Sequence, residues 1–252
     1  MPRASRYFLP GHVWHITHRC HKQEFLLKFA FDRRAWVQWL FEARKRYGLS
    51  VLNYIVTSNH IHLHIHLLVM DTGRGEVAKS MQLVAGRVAQ EYNRRKSRKG
   101  AFWEDRYHAT AVAADHHLVR CLTYVDLNMV RAGVVSDPSE WAESGYVEMM
   151  HPRQRYRVLD HDTLLALLGM PDTMAIQSAR RAWVEESLRL GALEKECCWS
   201  DGLAVGDENF VKSVKLDLKH VGRNREVQSG GHGWVLRETE ADYGILPPKW
   251  PV

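Results

Sequence analysis

The chain has 252 residues, 45% of them hydrophobic and 25% charged, with a net charge of +6 and a pI near 9.2. That is enough apolar material for one well-buried core, while no apolar run approaches the roughly 18 residues of a membrane helix, which excludes a membrane-spanning helix. The four cysteines (Cys20, Cys121, Cys197, Cys198) lack C-x-x-C spacing, which excludes a zinc finger and favours reduced structural thiols, and the basic balance favours a polyanionic partner.

Residues 1–10 carry Arg3 and Arg6 but no apolar h-region, so no signal peptide is expected and the location expected is cytoplasmic. Residues 11–19 partly alternate and predict a strand. A helix follows over 32–47, where Trp36, Trp39, Leu40 and Ala43 have helical spacing and Gly48 supplies the stop. Strands are predicted over 51–56 and 60–70, joined by a turn at Thr57-Ser58-Asn59. After a loop at 71–75 comes a helix over 76–96, then a fourth strand over 107–113. Asp115 is a good N-cap for a helix over 116–131, with Gly133 where a left-handed residue belongs. This order is the α+β, ferredoxin-like split βαβ arrangement, an antiparallel sheet with helices, plus one further helix.

A seam near residues 150–156 divides the chain into residues 1–150 and a mostly helical extension, 151–252. Helices are expected there at 162–168, 173–190 and 207–220, and a loop-rich end from Ser229 onward.

The charge is local. Between Lys79 and Tyr107 stand eight basic residues against three acidic ones. Such a cluster repels itself, and phosphates would relieve it. Arg94, Arg95, Lys96, Arg98, Lys99 and Arg106 are therefore candidate nucleic-acid contacts, the bland alternative being a solvated helix end. Trp103, Tyr107 and Tyr92 are candidates for stacking on unpaired bases, with core packing as the commoner role. Arg223 and Arg225 are further contacts suggested by charge alone.

Residues 58–69 read Ser-Asn-His-Ile-His-Leu-His-Ile-His-Leu-Leu-Val. On a strand, His60, His62, His64 and His66 share one face, and Ile61, Leu63, Ile65 and Leu67 share the other. Two imidazoles two residues apart suit one divalent metal. The segment is also a tandem repeat, His-Ile-His-Leu twice. Slipping by four residues keeps every side chain on its face but moves the chelating pair about 13 Å along the strand. His64 and His66 are the preferred pair, because Leu67-Leu68-Val69 then continues the buried strand; His60 and His62 remain the alternative.

The helix after Asp115 carries an apolar stripe, Leu118, Leu122, Val125 and Met129, expected to face the sheet. Beside it runs a polar stripe of His117, Arg120, Tyr124, Asn128 and Arg131. Tyr124 and Asn128 are one turn apart. An amide oxygen is a competent hard ligand for Mg²⁺ or Mn²⁺, so Asn128 would bring a third ligand beside the tyrosine.

Together these residues are recognisable. Asn59-His60-Ile61-His62, or its repeat running into His66-Leu67-Leu68-Val69, resembles the His-hydrophobic-His signature of HUH endonucleases. Phe102-Trp103-Glu104-Asp105-Arg106-Tyr107 and Tyr124-Val125-Asp126-Leu127-Asn128-Met129-Val130-Arg131-Ala132-Gly133 resemble the later motifs of REP-associated tyrosine transposases. The resemblance spans about residues 1–150. It implies a single catalytic tyrosine at Tyr124, a divalent metal (Mg²⁺ or Mn²⁺) on the histidine pair with Asn128, and single-stranded DNA with hairpin or palindromic elements as substrate. Met129 stands where the family commonly has proline, and the repeated His-Ile-His-Leu leaves the ligand register open.

The expected chemistry is attack of Tyr124 on a phosphodiester, giving a 5′-phosphotyrosine bond and a free 3′-hydroxyl. Arg120 and Arg131 join the candidate DNA contacts. No general base is assigned; spare strand histidines and His117 are candidates. The enzyme is expected to act as a monomer or homodimer. Two rivals remain: an inactive nucleic-acid binder on a ferredoxin-like sheet, and a metallohydrolase in which water attacks.

Overall fold

The computed structural model describes residues 9–57, 64–191, 194, 196–219, 225–231 and 233–238. The chain begins with strand β1 (Val13–Arg19), helix α1 (Ala30–Tyr47), strands β2 (Ser50–Val56) and β3 (His64–Met70), helix α2 (Glu76–Arg95) and strand β4 (His108–Val112). These four strands lie in the order β2-β3-β1-β4 and every pairing among them is antiparallel. That is the ferredoxin-like arrangement expected from the sequence. The strand ends agree to within a residue or two, except at β3, whose predicted start at 60 lies outside the described residues.

Helix α1 starts two residues before the sequence prediction, at a Phe29 N-cap that makes no side-chain cap bond. Its other end is as expected: Gly48 adopts φ 69° and its N–H bonds the Arg44 carbonyl. A side chain there would be held in the left-handed region that glycine enters without cost. Six of the seven β1 residues are buried, so both faces of the strand are covered by other layers. Ile16, Ile65, Leu67 and Val69 are among the buried apolar residues that fill this core.

Helix α3 (His116–Asp126) starts at Asp115, whose side chain accepts the His117 N–H. The helix predicted over 116–131 breaks at Leu127, and α4 (Asn128–Arg131) continues it. Gly133 then turns the chain with φ 66°. The apolar stripe is buried as expected, with Leu118, Leu122, Val125 and Met129 all within 1% of fully covered.

The C-terminal part holds α5 (Gly145–Met150), α6 (His161–Leu168), α7 (Thr173–Arg189), α8 (Cys198–Asp201) and α9 (Glu208–Asp217), together with β5 (Ala204–Gly206), β6 (Arg225–Gly230) and β7 (Gly233–Glu238). Helices α6, α7 and α9 match the sequence reading closely. The loop-rich end does not. Residues 225–230 and 233–238 form a hairpin that joins β5, and β5 pairs in parallel with β4. The full order is β2-β3-β1-β4-β5-β7-β6. Glycines at 230, 231 and 233 disguised the turn as a coil, and β5 is too short to show a period. Cys20, Cys121, Cys197 and Cys198 are all free thiols, as expected.

One buried ion pair ties α7 to α3. Arg180, fully buried, donates from Nε and Nη2 to the Asp126 carboxylate at 3.1 and 2.5 Å, and Asn53 of β2 donates to the same group at 2.8 Å. Burial raises the Asp126 carboxyl above its ordinary range, while Arg180 and Asn53 pull it back. Removing one partner of such a pair leaves the other charged and dry. Arg180→Ala is expected to lower unfolding free energy by about 3–5 kcal/mol, read from urea denaturation; a loss within experimental error would mean that the pair carries no stability.

Candidate active site

The residues on the polar face of β1 and β3 can be followed outward from the sheet. Thr17 pairs with His66 across the antiparallel ladder, and His15 pairs with Leu68 two residues along, so His15 and His66 project from the same face. Their rings stack at 5.1 Å between centroids, and His15 Nε2 lies 3.0 Å from His66 Nδ1. The other nitrogen of His15, Nδ1, lies 3.0 Å from the Trp199 carbonyl oxygen, and Nε2 of His66 lies 2.9 Å from Asn128 Nδ2.

These contacts fix the tautomers of the neutral rings. A carbonyl only accepts, so His15 Nδ1 carries the proton and its Nε2 is bare. His66 Nδ1 must then donate to it, which leaves the His66 Nε2 lone pair facing Asn128. The amide N–H of Asn128 meets that lone pair, and its Oδ1 is buried with no hydrogen-bond partner. Turning the Asn128 amide over would bring its unsatisfied Oδ1 beside the same His66 Nε2, and an imidazole nitrogen with an amide oxygen is a donor set that fits a divalent cation.

Tyr124 lies against this chain. Its ring centroid is 5.9 Å from that of His66, 6.3 Å from His15 and 6.1 Å from Trp199. Arg131 covers the phenol, with its guanidinium carbon 3.9 Å from the ring centroid and Nη2 donating to the Tyr124 carbonyl at 2.6 Å. Tyr124 is only 6% exposed. Burial pushes its phenol up to about 12, and the Arg131 charge works against that rise.

The polar stripe is thus covered rather than solvated, and the C-terminal part does the covering. Trp199, fully buried, lies over it. Its indole N–H donates to Glu196, which also holds Arg120 at 2.5 Å. Thr110 donates to the Gly202 carbonyl at 2.6 Å, and His108 Nε2 is 2.8 Å from the same oxygen, which holds this segment on β4.

His66, Tyr124, Asn128 and Arg131 therefore come together, with Arg120 one turn before the tyrosine. His64 opens β3 opposite Arg19, and its backbone position alone is described. His60 and His62 lie outside the described residues, as does Arg223. The basic cluster is elsewhere. His18, on the other face of β1 from His15, stacks on Trp103 at 4.1 Å, and the Trp103 N–H donates to Ala85 of α2 at 2.9 Å. Helix α2 thus lies on the opposite side of the sheet from Tyr124. Arg94, Arg95, Lys96, Lys99 and Arg106 are exposed there or in the loop beyond, while Arg98 is tied to Glu24 at 3.0 Å. The Trp103 ring is stacked and hydrogen-bonded within the protein, as is usual for a core residue. Arg225 pairs with Glu238 in the C-terminal hairpin.

Two features escaped the sequence reading. His15 looked like one more polar residue of a partly alternating strand, although its spacing from Thr17 placed it on one face. Trp199 lies too far along the chain for any local pattern to connect it. A second group, Asp115, His116 and His117, has ligand atoms within 4.8 Å of one another and can hold a cation. Its Asp115 Oδ1 already accepts from the His117 backbone N–H at 2.7 Å and lies 2.8 Å from His117 Nδ1. His117, named above as a candidate base, is engaged there, two turns before Tyr124.

Residues 11–128 match the family model described as Transposase IS200 like, just under half of the 252 residues. The transposase resemblance seen in the motifs is borne out by that match. Among solved structures the chain is similar to a REP-associated tyrosine transposase bound to a REP hairpin, at 15% identity and a TM-score of 0.48, covering 64% of this chain and 94% of that one. No curated protein matches the chain. No helix among the described residues is long and apolar enough to cross a membrane.

Because the Tyr124 phenol is held protonated beyond its ordinary value of 10.0, this group favours the folded state below pH 10 and loses that contribution as pH rises through about 12. Arg131→Ala should push the phenol higher still. Difference absorbance of tyrosinate against Tyr124→Phe checks this; an Arg131→Ala phenol that titrates at lower pH than the native one would be the opposite result.

Proposed function

We propose, with the IS200-like transposase region at residues 11–128 as premise, that this chain nicks and rejoins single-stranded DNA bearing hairpin or palindromic elements, through a 5′-phosphotyrosine bond on Tyr124. The observation that carries the reading is the packing of Tyr124 and Asn128 against the same His66 ring. In this reading a monomer carries one such group of residues and a homodimer two.

His66 Nε2 and Asn128 Oδ1 would hold Mg²⁺ or Mn²⁺, with His64 as the second imidazole and His60 and His62 as the alternative pair. When bound, the cation neutralises charge on a non-bridging oxygen of the scissile phosphate. His15 orients His66: by accepting its Nδ1 proton it keeps the Nε2 lone pair turned toward Asn128. Arg131 eases loss of the phenol proton by stabilising the oxyanion that follows.

The bond changes balance within the two reactants. The Tyr124 oxygen forms a bond to phosphorus as its proton leaves, and the P–O3′ bond breaks, the 3′ oxygen taking up one proton to become a hydroxyl, so that protons and bonds balance. A second 3′-hydroxyl attacking the same phosphorus reverses the step and joins strands. The phosphotyrosine ester keeps the energy of the original linkage, so joining needs no nucleotide. Exposed Arg94, Arg95, Lys96, Lys99 and Arg106 contact phosphates away from the reacting bond, while Arg98, half-buried against Glu24, borders them. Arg120, braced by Glu196, and Arg131 contact those near it.

Incubation with hairpin-bearing single-stranded oligonucleotides and Mn²⁺, read on a denaturing gel, is expected to give a cleaved strand and a covalent protein–DNA band, both lost in Tyr124→Phe. Cleavage surviving in Tyr124→Phe would point to attack by water, and binding with no cleavage in the native chain to an inactive binder. Loss of an orienting partner typically costs 10–100-fold in metal affinity, so His15→Ala should weaken Mn²⁺ binding by about that factor in calorimetry, and Asn128→Ala by at least as much. Unaltered Mn²⁺ affinity in His15→Ala would remove His15 from the site.

A further inference from the structure

Three phenylalanines within seven residues, Phe25, Phe29 and Phe31, are solvent-exposed, the last two at 55% and 59%. Large apolar rings grouped on a surface ordinarily mark a binding site. Here each of the last two is overlaid by cations. Lys28 and Lys96 stand 5.7 and 5.4 Å from the Phe29 ring, and Arg95 stands 5.0 Å from Phe31 and 5.4 Å from Tyr92. The start of α1 and the end of α2 thus join aromatic faces to the densest basic run in the chain.

Between them lies a cavity of about 300 Å³, lined by Phe31, Asp32, Tyr92, Arg94 and Arg95 among others. Asp32 is 4% exposed and ion-paired with Arg95 through Oδ1, while its Oδ2 is buried without a hydrogen-bond partner. A carboxylate oxygen can only accept, so the group that completes it must be a donor. Rings for stacking, cations for phosphate and an acceptor starved of a donor describe one ligand chemistry.

We infer that this α1–α2 cleft receives one unpaired nucleobase bearing an exocyclic amino group, such as cytosine, on the side of the sheet opposite Tyr124. The exposed face of Phe31 stacks on the base, Arg94 holds a flanking phosphate, Arg95 stays between the Phe31 and Tyr92 rings on its Asp32 partner, and Asp32 Oδ2 accepts from the amino group. Thymine, which presents a carbonyl where cytosine has its amino group, meets the carboxylate with like polarity and is disfavoured. The inference rests on reading the chain as a single-stranded-DNA enzyme, and adds to it a second contact remote from the reacting bond.

Fluorescence anisotropy with unstructured oligo-dC and oligo-dT tests it on the full chain. The native protein should prefer oligo-dC, and Phe31→Ala should weaken oligo-dC binding roughly tenfold, the effect of losing one stacked base. Asp32→Asn should erase the preference. Thermal unfolding checks that it folds, and if it does not, the native preference and the exposed Phe31→Ala decide alone. At saturating DNA, Phe31→Ala should still form the Tyr124 adduct. Equal affinity of the native chain for both oligomers, or native-like oligo-dC affinity in Phe31→Ala, overturns the pocket while leaving the tyrosine chemistry standing. A Phe31→Ala variant that changes only the mass seen by light scattering overturns it in favour of a second copy of this chain. A native chain that binds neither oligomer brings down both readings.

Discussion

The Trp199 carbonyl oxygen dictates which nitrogen of His15 carries a proton, and that choice propagates. His15 is left with one bare nitrogen, His66 must donate to it, and the remaining lone pair of His66 has a single direction left to face. Each ring is buried, so water cannot supply an alternative partner and the sequence of donors and acceptors has little freedom to invert. The placement of Tyr124 inherits this rigidity. A phenol packed against the two rings and beneath a guanidinium is held in one position, at the cost of a raised proton affinity that the guanidinium partly offsets.

The sheet separates two kinds of work. One face carries the imidazoles, the phenol and the amide, sealed beneath residues 196–202. The other carries α1 and α2, whose far ends expose cations and aromatic rings. Charges that attract a polyanion act well when solvated and mobile, since their contribution is long-ranged and nonspecific. Groups that select a proton position or a ligand act well only when dry and fixed. A sheet covered on both sides satisfies both demands with one scaffold.

How much of this could be read beforehand follows the range of the signals. The strands and helices of the ferredoxin-like part were legible because period-two and period-3.6 patterns are local, and Gly48 and Asp115 mark their ends with specific backbone needs. The meeting of His66, Tyr124 and Asn128 was legible because strand and helix geometry constrains which side chains share a face. The covering of the polar stripe was not. Nothing around Arg120 or Tyr124 announces that Trp199 and Glu196 will pack over them, since that burial is made by residues distant in sequence. The C-terminal hairpin was hidden by its own glycines, and β5, three residues long, becomes a strand only because β4 and β7 flank it. His15 was visible as a residue and invisible as a partner, for its role depends on a carbonyl that no side-chain pattern encodes.

The lateness of Trp199 has a consequence for synthesis. The tyrosine and the carbonyl that disciplines its neighbouring imidazoles are separated by 75 residues (199 minus 124) of chain. On a ribosome the ferredoxin-like half emerges first, with Tyr124 already on its helix but with His15 still free to choose its tautomer. The nascent protein thus passes through a stage in which Tyr124 exists and its cover does not. The burial that raises the Tyr124 phenol is therefore completed only after residues 196–202 have followed it out of the tunnel.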